Sequence, residues 1–241
     1  MERGENEPKR DASSTQARRS VTLPEELMRV LPPETVRAWR ALAPRLPNDL
    51  YLGGGTAVAV HLHHRESRDL DFFYHDNTVD VQALAEKLGK VRQFAVTFEG
   101  EGTLKGLFGD AKVEFLHADE GRRQQLLQEP KTVGGLRVAG LKDLMAMKLK
   151  VVGDRGEMRD YYDIKLIETQ GNLTVEDGIA LFLERYGVSP GSEQLRHVIR
   201  ALGYLDDVEE DDALPIGKDE LAAWWKKRQA RLVRHLARNP L

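Results

Sequence analysis

The chain has 241 residues, a net charge of −3 and 31% charged residues, which is typical of a soluble globular protein with one large domain or two small ones. It contains no cysteine, so disulfide and thiol chemistry are excluded, and a zinc site would have to use histidines and carboxylates. No apolar run reaches the length of a membrane span and no signal peptide is visible, so a cytoplasmic protein is expected. Because the net charge is negative, nucleic-acid binding would need a local basic patch.

The first part of the chain predicts a tail, a helix and a strand. Residues 1–20 are polar and charged, and they are expected to form a disordered tail. Ordered structure is expected from about Leu23. Pro32 and the proline after it open a helix that runs to Leu46, since proline suits the first turn of a helix. A first strand follows at Tyr51 and Leu52.

Three consecutive glycines follow this strand and precede an apolar helix predicted from Thr56 to about His63. Gly54 and Gly55 carry no side chain, so the backbone there can approach a phosphate closely, and the first amides of the helix can bind its charge. The same pattern also suits an ordinary turn. The histidines at positions 61, 63 and 64 are interpreted as ending the helix rather than as metal ligands, because no ligand-spaced motif accompanies them.

Two aspartates, Asp69 and Asp71, lie on a predicted strand. Alternate strand residues share a face, so both carboxylates point the same way while Leu70 and Phe72 point into the core. Adjacent carboxylates repel each other and need a counter-charge. Mg²⁺ fits this pair, because it takes hard oxygen ligands from one or two carboxylates and from substrate phosphates. The alternative is a solvated surface motif, since short acidic motifs also occur by chance.

The middle of the chain predicts the rest of a sheet. A helix is predicted at Val79–Leu88, strands at Val91–Phe98, Thr103–Phe108, Ala111–Leu116 and Val133–Val138, and a charged loop or short helix at residues 119–131. Gly109 and the aspartate after it form a predicted hairpin turn. In the strand that follows, Val113 and Phe115 share one face. Glu114, the only acid of that strand, lies on the opposite face.

Beyond the last predicted strand the pattern becomes helical. The predicted helix Leu141–Val152 places Lys148 in the middle of an apolar stripe. Its ammonium either reaches solvent along its apolar stem or reaches an acidic or phosphate-bearing site. Asp160 and Asp163 follow one helical turn apart on one face, with Arg159 close by. The alternative for this group is a surface ladder of ion pairs.

Three further helices are predicted, at Val175–Arg185, Ser192–Leu202 and Lys218–Arg238. The last of them carries an apolar packing stripe and, on another face, a basic ridge formed by Lys227, Arg231, Arg234 and Arg238. Like charges at this spacing weaken an isolated helix, and a phosphate backbone would offset that cost. The ridge is therefore a candidate RNA-binding surface. The alternative is a solvated face with cations placed near a helix C-terminus.

The order of glycine turn, helix and acidic strand resembles the nucleotidyltransferase fold of the DNA polymerase beta type, and within it the chain is similar to the AbiEii/AbiGii toxin family. The first half of the resemblance is carried by Gly54, Gly55, Thr56, Arg65, Ser67, Asp69 and Asp71. The second half is carried by Lys148, Arg159, Asp160 and Asp163. The resemblance implies an α/β (α+β) fold, with a mixed sheet in residues 21–139 and a helical C-terminal domain in residues 140–241 that completes the active site.

The resemblance also implies a role for each of these side chains. Asp69, Asp71 and Glu114 would hold Mg²⁺, or Mn²⁺ in its place, although the family more often has Asp where this chain has Glu114. Gly54, Gly55 and Thr56 would bind the triphosphate of an NTP substrate. Lys148 would stabilise its developing charge, and Arg65, Ser67 and Arg159 would assist at the nucleotide. Asp160 or Asp163 would orient the acceptor or Lys148.

The activity implied is transfer of a nucleoside monophosphate from an NTP to an acceptor, with release of pyrophosphate. We expect the acceptor to be tRNA and the protein to be the toxin of a toxin–antitoxin system that has a separate DNA-binding antitoxin. The alternatives are nucleotidylation or phosphorylation of a protein, and a non-catalytic binding protein that kept the fold.

Overall fold

The N-terminal half of the described chain is built on one mixed β-sheet of seven strands. The computed structural model describes residues 21–75, 78–119, 124 and 126–240, so the predicted tail at residues 1–20 and part of the predicted loop at 119–131 lie outside the described residues. The strands are β1 (Tyr51–Leu52), β2 (Leu70–Tyr74), β3 (Phe94–Gly100), β4 (Thr103–Phe108), β5 (Ala111–His117), β6 (Lys131–Val133) and β7 (Leu136–Val138). Their order across the sheet is β3-β4-β5-β2-β1-β7-β6. Strand β2 is parallel to β5 and β1 is parallel to β7, while the other neighbouring pairs are antiparallel.

Helices precede the sheet, connect its strands and make up the rest of the described chain, and a short 3₁₀-helix lies at Leu27–Arg29. Before the last strands come α1 (Pro33–Leu42), α2 (Gly54–Leu62) and α3 (Val81–Gly89). After the sheet come α4 (Leu141–Asp154), α5 (Met158–Gly171), α6 (Val175–Tyr186), α7 (Glu193–Ala201) and α8 (Lys218–Arg238). Helix α4 packs against α5, α6 and α7, and α4 and α5 both pack against α2. Within the described ranges, no helix combines the length and apolar character needed to cross a membrane.

The two central strands β2 and β5 confirm the predicted alternation of faces. Leu70 and Phe72 of β2 are buried, as are Val113 and Phe115 of β5, and the rings of Phe72 and Phe115 stack with centroids 5.2 Å apart. In the parallel register of these strands, Asp71 lies beside Glu114. One face of the strand pair therefore belongs to the core, and the other carries acidic side chains side by side.

Several predicted bounds are wrong: β3 begins at Phe94 rather than Val91, and α2 begins at Gly54 rather than Thr56. Two larger differences have causes in local backbone chemistry. The single strand predicted at Val133–Val138 is the second half of a hairpin, because Gly134 and Gly135 take positive φ angles of 50° and 78° and turn the chain between β6 and β7. Helix α1 ends at Leu42 rather than at Leu46. Pro44 has no backbone N–H with which to continue the helix, and the residues after α1 form turns up to a second proline, Pro47.

The helices after the sheet share a core with it. The cluster of buried apolar side chains runs without interruption from Trp39 of α1 to Trp225 of α8. A buried ionic group also joins the two parts: the Arg185 guanidinium on α6 pairs with Asp143 on α4 and donates to the Tyr51 hydroxyl on β1 at 2.9 Å. The predicted boundary near residue 140 lies where β7 ends and α4 begins, and the division into two domains stays a prediction.

Candidate active site

A cleft of about 460 Å³ lies between the acidic face of the sheet and helices α4 and α5. Its lining includes all of the predicted metal, nucleotide and catalytic residues except Thr56 and Asp163. From the first half of the chain come Gly54, Gly55, Arg65, Ser67, Asp69, Asp71 and Glu114. From the second half come Lys148, Arg159 and Asp160. Segments that are far apart in the sequence therefore meet at one place.

The glycine turn forms one end of this cleft. Gly54 has a φ of +62°, which favours glycine over any residue with a side chain. A Cβ atom on Gly54 would collide with the Asp71 carboxylate, and one on Gly55 would collide with the Arg65 guanidinium. No described side chain caps the N-terminus of α2, so its first amides are left for a ligand. The turn can therefore present backbone N–H groups, together with the positive end of the helix dipole, to an anion.

The carboxylates of Asp69, Asp71 and Glu114 form an acidic wall opposite the glycine turn. Burial, together with the nearby charges of Asp69 and Glu114, raises the pKa of Asp71 to about 6, while Lys148 and Arg159 oppose the change. Ionising Asp71 in this setting is costly because the carboxylate is buried and because two further carboxylates lie close to it. The site therefore favours a bound cation at the acidic wall.

The acidic wall fits a hard divalent cation in its donor chemistry. Carboxylate oxygens are the ligands that Mg²⁺ and Mn²⁺ take, and the pair Asp69 and Asp71 faces the cleft together. Glu114 is turned partly aside, since its Oε1 lies 3.2 Å from Lys105 Nζ on the neighbouring strand. Among the described residues, no three carboxylates or histidines already converge as ligands of one ion. Glu114 would join the aspartates by exchanging its contact with Lys105 for the cation.

Lys148 does not extend to solvent, although it lies in an apolar helix stripe. Only 6% of the residue is exposed, and its Nζ lies 2.7 Å from Asp160 Oδ1 and 2.7 Å from Asp163 Oδ2. Burial alone would lower the pKa of Lys148, but Asp163 and Asp160 raise it above its ordinary value. The ammonium is therefore charged at neutral pH and held at the cleft wall. Of its three protons, one remains for a ligand in the cleft.

Asp163 lies behind the cleft and joins three basic side chains. Besides Lys148, it accepts hydrogen bonds from Arg65 Nε and Nη2 at 2.7 and 2.8 Å and from His64 Nε2 at 2.7 Å. Burial would raise the pKa of Asp163, but these partners hold it well below its ordinary range. Asp163 thus positions Arg65 and Lys148 without facing the cleft itself. The sequence analysis missed His64, because nothing in the spacing of three histidines distinguishes it from the other two.

Asp160 and Arg159 belong to the start of helix α5. Asp160 accepts the Glu157 backbone N–H at 3.0 Å as part of a capping box, while its other oxygen contacts Lys148. Glu157 in turn binds Arg159 Nε and Arg155 Nη1, each at 2.6 Å. Arg159 is therefore an exposed cation at the mouth of the cleft and is fixed by a neighbouring acid.

Thr56 and Ser67 form hydrogen bonds next to the segment that carries Asp69. The buried Thr56 hydroxyl is hydrogen-bonded to Ser67 Oγ at 2.8 Å and donates to the backbone carbonyl of Asp69. Thr56 does not line the cleft, whereas Ser67 does. The structure therefore places Thr56 as an anchor of the segment that carries Asp69, with Ser67 at the surface of the cleft.

The predicted basic ridge lies apart from the cleft. Lys227, Arg231, Arg234 and Arg238 are all exposed on α8, and none of them lines the cleft. The packing stripe is confirmed at Leu221, Trp225 and Leu232, which are fully buried. Arg228, which flanks the ridge in the sequence, binds Glu168 on α5 and Glu176 on α6. It fixes α8 to the bundle.

The mixed sheet, the glycine turn and the acidic strands define the class of protein: this is a nucleotidyltransferase fold. MenT4, the nucleotidyltransferase toxin Rv2826c of Mycobacterium tuberculosis, superimposes with a TM-score of 0.56 at 22% identity, covering 83% of this chain and 82% of that one. JHP933 of Helicobacter pylori gives a TM-score of 0.53 at 19% identity, covering 90% of this chain and 96% of that one. At these identities the likeness establishes the shared fold.

The family follows from the sequence. Residues 37–238 match the profile of the nucleotidyl transferase AbiEii toxin family, described as a type IV toxin–antitoxin system. The chain belongs to this family of nucleotidyltransferases. An uncharacterized protein of Aquifex aeolicus (strain VF5), aq_aa25, is 26% identical over 167 residues, which is 68% of this chain and 77% of that protein.

Proposed function

We propose that this protein is a Mg²⁺-dependent nucleotidyltransferase that moves a nucleoside monophosphate from an NTP to a hydroxyl group of tRNA. The observation that carries the proposal is the acidic wall facing the glycine turn across one cleft, with the pKa of Asp71 raised by burial and by its acidic neighbours. A divalent cation bound there would neutralise the wall and polarise the phosphate oxygens of the substrate. Mn²⁺ has the same donor preference and is expected to substitute.

The chain's own residues account for triphosphate binding. The N–H groups at the start of α2 and the free proton of the Lys148 ammonium face the cleft and suit phosphate oxygens. Asp163 holds Arg65 beside Gly55, so a guanidinium also stands at this end of the cleft. Apolar side chains complete the lining and give the nucleoside a surface to pack against: Phe73, Leu116, Leu144, Met147 and Val151. These cations supply the fixed positive charge that a leaving pyrophosphate requires.

The reaction balances as a substitution at the α-phosphorus. The acceptor hydroxyl oxygen forms a new bond to the α-phosphorus, the bond from that atom to the bridging oxygen breaks, and pyrophosphate leaves with the electron pair. The hydroxyl proton passes to solvent by way of a carboxylate of the acidic wall.

In the proposed biology the protein is the toxin of a toxin–antitoxin pair and acts in the cytoplasm, with a separate antitoxin protein limiting its effect.

A labelling experiment tests this proposal. The purified full chain is incubated with each NTP labelled at the α- or the γ-phosphate, with Mg²⁺, Mn²⁺ or EDTA, and with total RNA or total protein from cells. The proposal expects α-label in tRNA, no γ-label, and no transfer in EDTA. Transfer of γ-label would indicate phosphorylation instead, and α-label confined to protein would indicate protein nucleotidylation. Absence of any transfer, with NTP still bound, would favour a non-catalytic binding protein.

A further inference from the structure

A groove leads away from the cleft across the turn between α4 and α5. Arg155 lines both the cleft and the groove, which has a volume of about 470 Å³. His197 and Arg200 of α7 line the groove and also a further hollow of about 270 Å³ beside it. Because the lining residues are shared, the surface is continuous from the catalytic cleft to α7. A chain-like ligand whose end lies in the cleft could continue along it.

The groove is built by close packing rather than by loops. A Cβ atom on Gly153 would lie 2.7 Å from Val198 Cγ2, so glycine at this position lets α4 and α7 approach each other. The buried Tyr161 hydroxyl is hydrogen-bonded to the Ala201 carbonyl at 3.1 Å and lies 3.4 Å from the Tyr204 carbonyl. The backbone that presents Tyr204 is thereby fixed to α5.

The groove presents an aromatic ring and cations to solvent. Tyr204 is 55% exposed, so one face of a large aromatic ring is open to solvent at the groove. Among the described residues, ion pairs along the groove join Lys150 to Asp154 and Arg155 to Glu157, and neither includes Arg200 or His197. Asp154 and Asp207 are also on the lining, and further acids follow at positions 206, 209 and 210, so the groove is not basic overall and a phosphate would be bound locally at Arg200. The basic side chains left for a ligand are those of Arg200 and His197.

We propose that the single-stranded 3′ end of the acceptor RNA lies in this groove, with a base stacked on Tyr204 and a phosphate bound by Arg200 and His197. The inference rests on the function proposed above and names the surface that holds the acceptor. An exposed aromatic ring beside a cation suits single-stranded nucleic acid, because every base has a face to stack and every nucleotide has a phosphate. If the terminal 3′-hydroxyl of the RNA lies at the acidic wall, the nucleotides before it must extend out of the cleft. The groove is open to the cleft at Arg155, so these nucleotides can lie along it.

This placement makes the α8 ridge an internal control. The ridge carries more charge than the groove, but none of its four cations lines the cleft or the groove. If RNA affinity depended mainly on the number of positive charges, substitutions in the ridge would weaken RNA binding most. If it depends on the surface that continues from the cleft, substitutions in the groove should weaken RNA binding more than removal of three charges from the ridge.

The experiment measures binding of a short fluorescent single-stranded oligoribonucleotide with a free 3′-hydroxyl to the full chain, without NTP, over a range of salt. The variants are Tyr204→Ala, Tyr204→Phe and Arg200→Gln, and the control is the triple variant Arg231→Gln, Arg234→Gln and Arg238→Gln. We expect Tyr204→Ala to raise Kd about tenfold and Tyr204→Phe to bind like the wild type, because phenylalanine keeps the stacking surface. Arg200→Gln should make the slope of log K against log salt shallower by about 0.7.

The outcomes separate this inference from the proposed function. Equal loss of RNA binding in the Ala and Phe variants of Tyr204, or RNA binding that only the ridge variant weakens, would overturn the groove. So would a wild-type protein that binds no RNA. Weaker RNA binding in the groove variants, with unchanged NTP binding and thermal unfolding, supports the groove. If the wild type then transfers no nucleotide to any RNA, the groove stands and the proposed reaction fails.

Discussion

The substitution Asp71→Asn should make the metal-free protein more stable while removing its activity. Burial and the charges of Asp69 and Glu114 raise the pKa of Asp71 from 3.8 to about 6. The raised pKa means that the folded chain holds a proton that the unfolded chain has already released. The contribution of Asp71 to the free energy of unfolding should therefore fall as pH rises from about 4 to 6. Above this range the ionised Asp71 carboxylate destabilises the fold by its full amount.

The magnitude follows from the change in pKa. About two pKa units correspond to roughly 3 kcal/mol, which is the upper limit of what Asp71→Asn can recover at pH 7.5. We expect a gain of about 1–3 kcal/mol, because the asparagine keeps the volume and loses only the charge. Mg²⁺ should stabilise the wild type and leave Asp71→Asn almost unchanged, since the acidic wall has lost one of its charges.

Urea unfolding of the full chain measures both effects, at pH 4.5 and 7.5, in EDTA and in Mg²⁺. Asp110→Asn is the matched control, because Asp110 is an exposed carboxylate on the turn between β4 and β5. The reasoning is refuted if Asp71→Asn is no more stable than the wild type at pH 7.5 in EDTA, or if Mg²⁺ stabilises both proteins equally.

Three further substitutions test the buried network and the glycine turn. Lys148→Met should destabilise the fold by about 3 kcal/mol, because it leaves Asp160 and Asp163 buried with less compensating charge, and urea unfolding at pH 7.5 should show this loss. Asp163→Asn should reduce stability at neutral pH and flatten its decline in acid, since the pKa of Asp163 is held low in the fold; a pH series of unfolding midpoints that matches the wild type would contradict this. Gly54→Ala should cost at least about 1 kcal/mol, because alanine is strained at φ +62° and its methyl group would meet a carboxylate. It should also weaken NTP binding, and calorimetric titration with a non-hydrolysable NTP analogue would detect that change.

Much of the fold could be predicted because its signals are local. Asp71 lies between Leu70 and Phe72 on β2, and burial alternates along this strand, so its two faces were predicted correctly. Helix α8 begins and ends where its amphipathic pattern does. The hairpin at Gly134 and Gly135 was missed because a two-residue glycine turn inside a short apolar run does not interrupt the strand pattern.

The contacts of the site depend on tertiary packing and were harder to predict. The apolar stripe of α4 indicated that Lys148 is unusual, but only the fold shows that it pairs with both Asp160 and Asp163. We therefore expect its removal to affect folding, where the sequence pattern alone suggested a ligand of phosphate. His64 gives no local signal for its hydrogen bond to Asp163, since that contact spans 99 positions of the chain. The lining of the cleft depends on how the sheet packs against α4 and α5. The periodicity of the sequence does not predict that packing.

Pyrophosphate release from α-labelled NTP is the most direct test of the central claim that the acidic wall performs nucleotidyl transfer. The wild type, Asp69→Asn, Asp71→Asn and Glu114→Gln are compared with Asp110→Asn under single-turnover conditions with Mg²⁺ and total tRNA. The account predicts that the wild type and Asp110→Asn release pyrophosphate in step with labelled tRNA. The two aspartate variants and Glu114→Gln should remain folded and lose at least about a hundredfold in rate. Near-wild-type release by Asp69→Asn or Asp71→Asn would contradict the account, because it would place the chemistry away from this cleft.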